Sequence, residues 1–148
     1  MNASLPKYLV SACLCGKKCR YNGTAGTVDR LCELYKCGQA VIVCPECLGG
    51  LKIPRPPAEI QLERVVDACG RDVTAQFRLG AERTLALAGK YGITRAILKE
   101  RSPSCGSKMI YDGSFSGVKI PGQGITTALL RENGIEVISE EELEVLTK

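Results

Sequence analysis

Four short apolar runs punctuate the chain: Tyr8-Leu9-Val10-Ser11-Ala12, Ala40-Val41-Ile42-Val43, Arg95-Ala96-Ile97-Leu98 and Ile135-Glu136-Val137-Ile138. Each has the length of a buried strand rather than a helix. Between the second and third, Phe77, Gly80, Ala81, Thr84, Leu85 and Ala88 recur at spacings of three and four. That period predicts a helix with one apolar stripe over Val73 to Tyr91, with Gly92 just past its end. A shorter helix is predicted over Thr27 to Cys37, ending at Gly38, and another over Ile125 to Glu132, closed by Asn133-Gly134. Ser139 followed by Glu142 reads as a capping box for a last helix, Glu140 to Leu146. Strands alternating with helices predict an α/β fold: a single three-layer domain over residues 1–148, with a small, mainly parallel sheet flanked by helices. Crossovers in such a sheet are right-handed, and ligands bind beyond the carboxyl ends of its strands.

Composition adds limits. A chain of 148 residues can bury roughly 70% of the surface its unfolded form exposes. The core therefore does not need metal or disulfides merely to exist. No apolar run approaches the ~20 residues of a membrane span. Met1 to Lys7 lacks the basic and apolar regions of a secretory signal, so a cytoplasmic location is expected and no membrane partner. A net charge of +4 is too mild to argue for nucleic acid. The basic cluster Lys17, Lys18 and Arg20 is expected to be a solvated loop. A monomer or homodimer is expected.

Two counts change the picture. There is no histidine, which removes the commonest neutral-pH general base and every histidine metal ligand. There are nine cysteines, an odd number in a chain with no secretory signal, which argues against a disulfide framework. Cys13 directly follows the first predicted strand, Cys44 the second, and Cys105 comes a few residues after the third. Three loops at one edge of a parallel sheet thus each carry a cysteine, far apart in sequence and able to meet in space. Pro45 and Pro103 stiffen two of these loops. Cys15, Cys19 and Cys47 are near enough in sequence to be extra ligands, Cys32 and Cys37 are expected to be packing residues of a helix, and Cys69 has no assigned role. An iron–sulfur cluster, a zinc site and thiol redox chemistry through Cys44 and Cys47 all remain open on these residues. Zinc is disfavoured by Pro-Glu inside the one CxxC and by the lack of a second CxxC. Glu46, two residues after Cys44, is a candidate general acid or base beside the metal site. Glu100, next to Arg101, is expected in a cap or a surface ion pair.

Several blocks in order then carry a resemblance. They are Val10-Ser11-Ala12-Cys13-Leu14, Arg20-Tyr21-Asn22-Gly23, Cys44-Pro45-Glu46, Pro54-Arg55-Pro56-Pro57-Ala58-Glu59-Ile60, Gly70-Arg71-Asp72-Val73-Thr74 and Lys99-Glu100-Arg101-Ser102-Pro103-Ser104-Cys105-Gly106, followed by Ile110-Tyr111-Asp112-Gly113 and Gly122-Gln123-Gly124-Ile125-Thr126. From about Tyr8 to Glu142 the sequence resembles the thiouracil desulfidase (TudS) family. The resemblance implies a [4Fe-4S] cluster held by Cys13, Cys44 and Cys105, with one open iron. It implies that Glu46 and Ser102 assist catalysis. The implied substrate is a small thiolated base or nucleoside of the 2-thiouracil or 4-thiouracil type, converted to the oxo form with release of sulfide. The sequence departs from the family pattern at Cys15 and Cys47, where an aliphatic residue is more usual.

Overall fold

The four apolar runs lie side by side in one sheet. In the computed structural model, which describes residues 5–147, the strands in chain order are β1 (Tyr8–Ser11), β2 (Ala40–Val43), β3 (Ala58–Gln61), β4 (Arg64–Asp67), β5 (Arg95–Leu98), β6 (Met109–Tyr111), β7 (Lys119–Pro121) and β8 (Glu136–Ser139). The helices are α1 (Asp29–Lys36), α2 (Pro45–Leu48), α3 (Thr74–Tyr91) and α4 (Ile125–Glu132), with 3₁₀ turns at Ala12–Cys15 and Glu140–Thr147. The main sheet has the order β2-β1-β5-β8, and every neighbouring pair is parallel. The chain moves outward from β1 to β2, then returns to the other side of β1 for β5. The crevice outside the carboxyl ends of β1 and β5 is therefore a topological switch point, where ligands of such sheets bind.

Alternation along the strands builds two cores. Leu9, Ala96, Leu98 and Val137 face α3 and α4, where Ala88 and Leu130 meet them. Val10, Ile97 and Ile138 face the other way and pack with Leu31 of α1 and with Leu143 of the closing 3₁₀ segment. Helices thus cover both faces, and the three-layer α/β architecture expected from the sequence is the one observed. No helix among the described residues is long and apolar enough to cross a membrane.

The hairpins β3–β4 and β6–β7 were not predicted. The turn of β3–β4 places Leu62 at φ 56°, a left-handed position that normally calls for Gly, Asn or Asp. β7 is exposed throughout and ends in Pro121, so it has no apolar pattern to read. The β3–β4 hairpin covers Phe77 at the start of α3 through Val65. The last predicted helix is a kinked 3₁₀ segment with Glu142 out of helical geometry. Its predicted capping box nonetheless forms: the Ser139 amide donates to Glu142 Oε1 at 3.1 Å, and the Glu141 amide donates to Ser139 Oγ at 3.1 Å.

α2 and α3 touch backbone to backbone. A Cβ at Gly80 would overlap the Pro45 carbonyl oxygen, and one at Gly49 would overlap the Gln76 carbonyl oxygen. This contact sets the position of the segment that carries Cys44 and Glu46. Gly80→Ala is therefore expected to destabilise by about 1–3 kcal/mol, because overpacking outweighs helix propensity. Gly89→Ala, in the same helix with open space around it, should stabilise by up to about 1 kcal/mol. Thermal melts of the two variants with the same sign of shift would contradict this packing.

Candidate functional site

One cavity of about 450 Å³ opens at the carboxyl edge of the main sheet, and Cys13, Cys44, Cys105, Glu46 and Ser102 all line it. The volume falls in the usual range of small-molecule sites. Cys13 is buried in the 3₁₀ turn that follows β1. Cys44 is the residue before α2, with Pro45 at the first helical position, where a missing N–H costs nothing. Cys105 is buried in the loop after β5. The structure thus brings together the three cysteines, the carboxylate and the hydroxyl that the sequence singled out.

The Cys105 loop has little regular structure, so its polar groups must be satisfied individually. Glu100 does much of this. It is 2% exposed, not in the surface ion pair expected from its neighbour Arg101. Its Oε1 accepts the amides of Arg101 at 3.1 Å, Ser107 at 2.7 Å and Lys108 at 3.2 Å, and its Oε2 accepts the Ser107 hydroxyl at 3.0 Å. Burial alone would raise its pKa, but the amides of Lys108, Ser107 and Arg101 pull it below the ordinary carboxylate value. From the other side, the first amides of α4 dock on the loop: Ile125 N–H donates to Pro103 O at 3.0 Å and Thr126 N–H to Ser104 O at 2.8 Å. Thr127 Oγ1 donates to the Cys105 carbonyl at 2.9 Å. The unpaired donors at a helix start find here the unpaired acceptors of a loop.

Ser102 Oγ accepts the amides of Ser104 and Cys105, both at 3.1 Å, which leaves its proton to donate. The Ser102 hydroxyl lines the same cavity as the Glu46 carboxylate and favours the ionised form of that group. Arg55 holds the same carboxylate from another side, with Nε to Oε1 at 3.1 Å. Arg55 Nη2 also donates to the Cys19 carbonyl at 3.0 Å, and its amide donates to Tyr21 O at 2.7 Å. Arg55 therefore ties α2 to the Cys19–Tyr21 loop. Burial raises the Glu46 pKa against the opposing pull of Arg55.

Four cysteines line the cavity: Cys13, Cys44, Cys105 and Cys19. Cys19 is buried and its thiol interacts with those of both Cys13 and Cys44, an interaction that raises its own pKa. The same interaction is the largest pull on Cys13, lowered to about 7, and on Cys44, lowered to about 5; Arg20 assists at Cys13, and Cys47 and Arg55 at Cys44. Burial pushes the Cys105 thiol up. Cys15 and Cys32 turn away from the cavity, toward the carbonyls of Leu31 and Leu14. Burial raises Cys15 to about 11, and Cys47, beside Cys44, to about 11. Cys37 is exposed at the end of α1 rather than packed in a helix. Sequence reasoning also missed Arg55 as a site residue, although prolines on both sides marked its backbone as fixed. Arg20 was expected in a solvated loop; it is half-buried and lines the cavity.

The donor set tests which cofactor fits. Among the described residues no three cysteine or carboxylate side chains converge closely enough to hold one metal ion. Three thiols distributed around a cavity of this size suit a group of several metal atoms, with thiolate as the matching soft ligand. No disulfide links any of the nine cysteines.

The sequence pattern of the 2-thiouracil desulfurase family matches residues 8–142. A Bacillus subtilis (strain 168) protein carrying the description "Uncharacterized protein YbbK" is 48% identical in an alignment covering 91% of this chain and 96% of its own length. A solved structure of TudS, a [4Fe-4S]-dependent thiouracil desulfidase, superposes with a TM-score of 0.92 at 51% identity, covering 96% of this chain and 95% of the other.

The Glu100 network predicts a pH signature. A carboxyl whose folded pKa lies below its unfolded value stabilises fully above the unfolded value and loses that contribution as pH falls through the folded one. Glu100→Gln sets an NH₂ group against amide donors and should cost roughly 1–3 kcal/mol at neutral pH. In urea unfolding, the gap between wild type and variant should narrow from about pH 7 to about pH 3. A gap independent of pH would remove Glu100 as the charged anchor of the loop.

Proposed function

The chain belongs to the 2-thiouracil desulfurase family, and we propose from that premise that it is a [4Fe-4S]-dependent thiouracil desulfidase. It converts a thiolated pyrimidine and water to the oxo-pyrimidine and hydrogen sulfide, with no net electron transfer. The observation that supports this most directly is the joining of three strand-end cysteines and the Glu46–Ser102 pair in one cavity.

In this reading Cys13, Cys44 and Cys105 hold the cluster. A cluster held by these three thiolates would supply, at an iron without a protein ligand, a Lewis acid soft enough for a thiocarbonyl sulfur. The protein does the rest. Glu46 takes a proton from the water that attacks the ring carbon. The Ser102 hydroxyl, fixed by the amides of Ser104 and Cys105, steadies the Glu46 carboxylate and can pass a proton to or from it. Arg55 sets the orientation of Glu46 and compensates its charge. The substrate is a free thiolated base or nucleoside, of a size the cavity admits.

Glu46→Gln keeps shape and hydrogen-bonding reach but removes the base. At equal cluster occupancy, sulfide release from a thiolated pyrimidine should fall by about 10²–10⁴-fold, with iron content and fold unchanged. Equal rates would take Glu46 out of the mechanism. Anaerobic Cys105→Ser should lose most of its iron, whereas Cys69→Ser, at an exposed cysteine that does not line the cavity, should retain it. Full iron in Cys105→Ser would end the three-loop assignment.

A further inference from the structure

Four cationic side chains border the cavity, and three of them already have carboxylate partners: Arg55 with Glu46 at 3.1 Å, Lys99 with Glu140 at 3.1 Å and Arg101 with Glu141 at 2.7 Å. Arg20 meets no carboxylate among the described residues. Its Nε is shielded from solvent and has no hydrogen-bond partner. A buried, unpartnered guanidinium nitrogen is costly and calls for an explanation.

The fold nonetheless fixes the backbone that carries this side chain. The Arg20 amide donates to Thr24 O at 3.2 Å, and Gly23 N–H returns a bond to Arg20 O at 2.8 Å. The guanidinium lies where residue 26 has no side chain: a Cβ at Gly26 would overlap its Nη2. Gly26 N–H in turn donates to the Cys13 carbonyl at 3.0 Å. The same cavity is lined by Arg20 and Cys13 together. A cation with an unfilled buried donor therefore lies in the cavity wall with Cys13, and a glycine leaves it room to do so.

We propose that Arg20 is a positioning residue for the iron–sulfur group, donating to the Cys13 sulfur from a seat kept open by Gly26 and compensating the negative charge of a thiolate-held cluster. This rests on the reading that Cys13 is a cluster ligand. Guanidinium suits the task because it is always charged, planar and weakly hydrated. Hydrogen bonds to the sulfurs are among the determinants of a cluster's potential. A donor and a positive charge at the sulfur stabilise the more negative, reduced state, so Arg20 raises the potential.

The test uses wild type, Arg20→Met, Arg20→Lys, Gly26→Ala and the double variant Arg20→Met/Gly26→Ala, all loaded anaerobically. The measurements are the midpoint potential of the bound cluster and the rate of iron loss to a chelator. Arg20→Met should shift the potential downward and lose iron several-fold faster. Gly26→Ala should shift it in the same direction, because the added methyl displaces the guanidinium. The double variant should go no further than Arg20→Met, since both changes remove one interaction. Arg20→Lys, which keeps the charge but not the fork, should lie between. Wild-type potential and iron retention in Arg20→Met would overturn the proposal, as would fully additive effects of the two changes. A loss of thermal stability with an unchanged potential would assign Arg20 a structural role instead and also overturn it. A wild type that binds no cluster overturns the cluster reading itself, a separate result from an unshifted variant.

Discussion

The buried carboxylate of Glu100 gives the segment after β5 a shape. Its oxygens accept from Arg101, Ser107 and Lys108 amides and from the Ser107 hydroxyl, so residues on both sides of Cys105 are gathered around one charge. The ion is affordable in the interior because several donors converge on it, the condition under which a buried charge is tolerated. Within the loop so formed, Ser102 caps the turn that bears Cys105, and the start of α4 closes it from outside. Ser102 then meets Glu46, and Glu46 meets Arg55. These contacts form one continuous chain from Glu100 to the loop that holds Tyr21.

The parts of this arrangement visible in the sequence were those with a period or a fixed neighbour. The strands β1, β2, β5 and β8 announced themselves as apolar runs, and the cysteines beyond them could be placed at one edge because a parallel sheet puts all its carboxyl ends on the same side. The Ser139–Glu142 cap was legible because its spacing is fixed by helix geometry, even where the helix itself became 3₁₀. The hairpins were not, since Leu62 occupies a left-handed position without the usual residue and β7 buries nothing. Glu100 was misread for a related reason: a carboxylate beside an arginine looks like a surface pair, and its burial depends on a loop whose course no local pattern dictates. Arg20 was misread likewise, its charge grouped with Lys17 and Lys18, which are exposed, although its seat at Gly26 exists only in three dimensions.

Charge is distributed unevenly around the cavity. Lys99 and Arg101 are neutralised by Glu140 and Glu141 of the closing 3₁₀ segment, and Lys108 pairs with Glu142 of the same segment. An acidic run that looks like a solvated tail therefore clasps the Cys105 loop from below. The net effect is that three cations near the sheet edge hold the walls together, while Arg20, in the same lining as Cys13, pairs with no carboxylate among the described residues.

The strand order has a temporal consequence. β1 lies between β2 and β5, so on a growing chain Cys13 and Cys44 are made long before the strand that brings Cys105 to them. A domain emerging from the ribosome at about 5–20 residues per second spends several seconds in that state. Until β5 has docked in parallel beside β1, a pairing that closes a long loop and is intrinsically slow, two thiols of the site stand without the third. The three thiols of the cavity therefore come together only once the sheet is complete, and until then Cys13 and Cys44 stand as free thiols that any oxidising surrounding can reach.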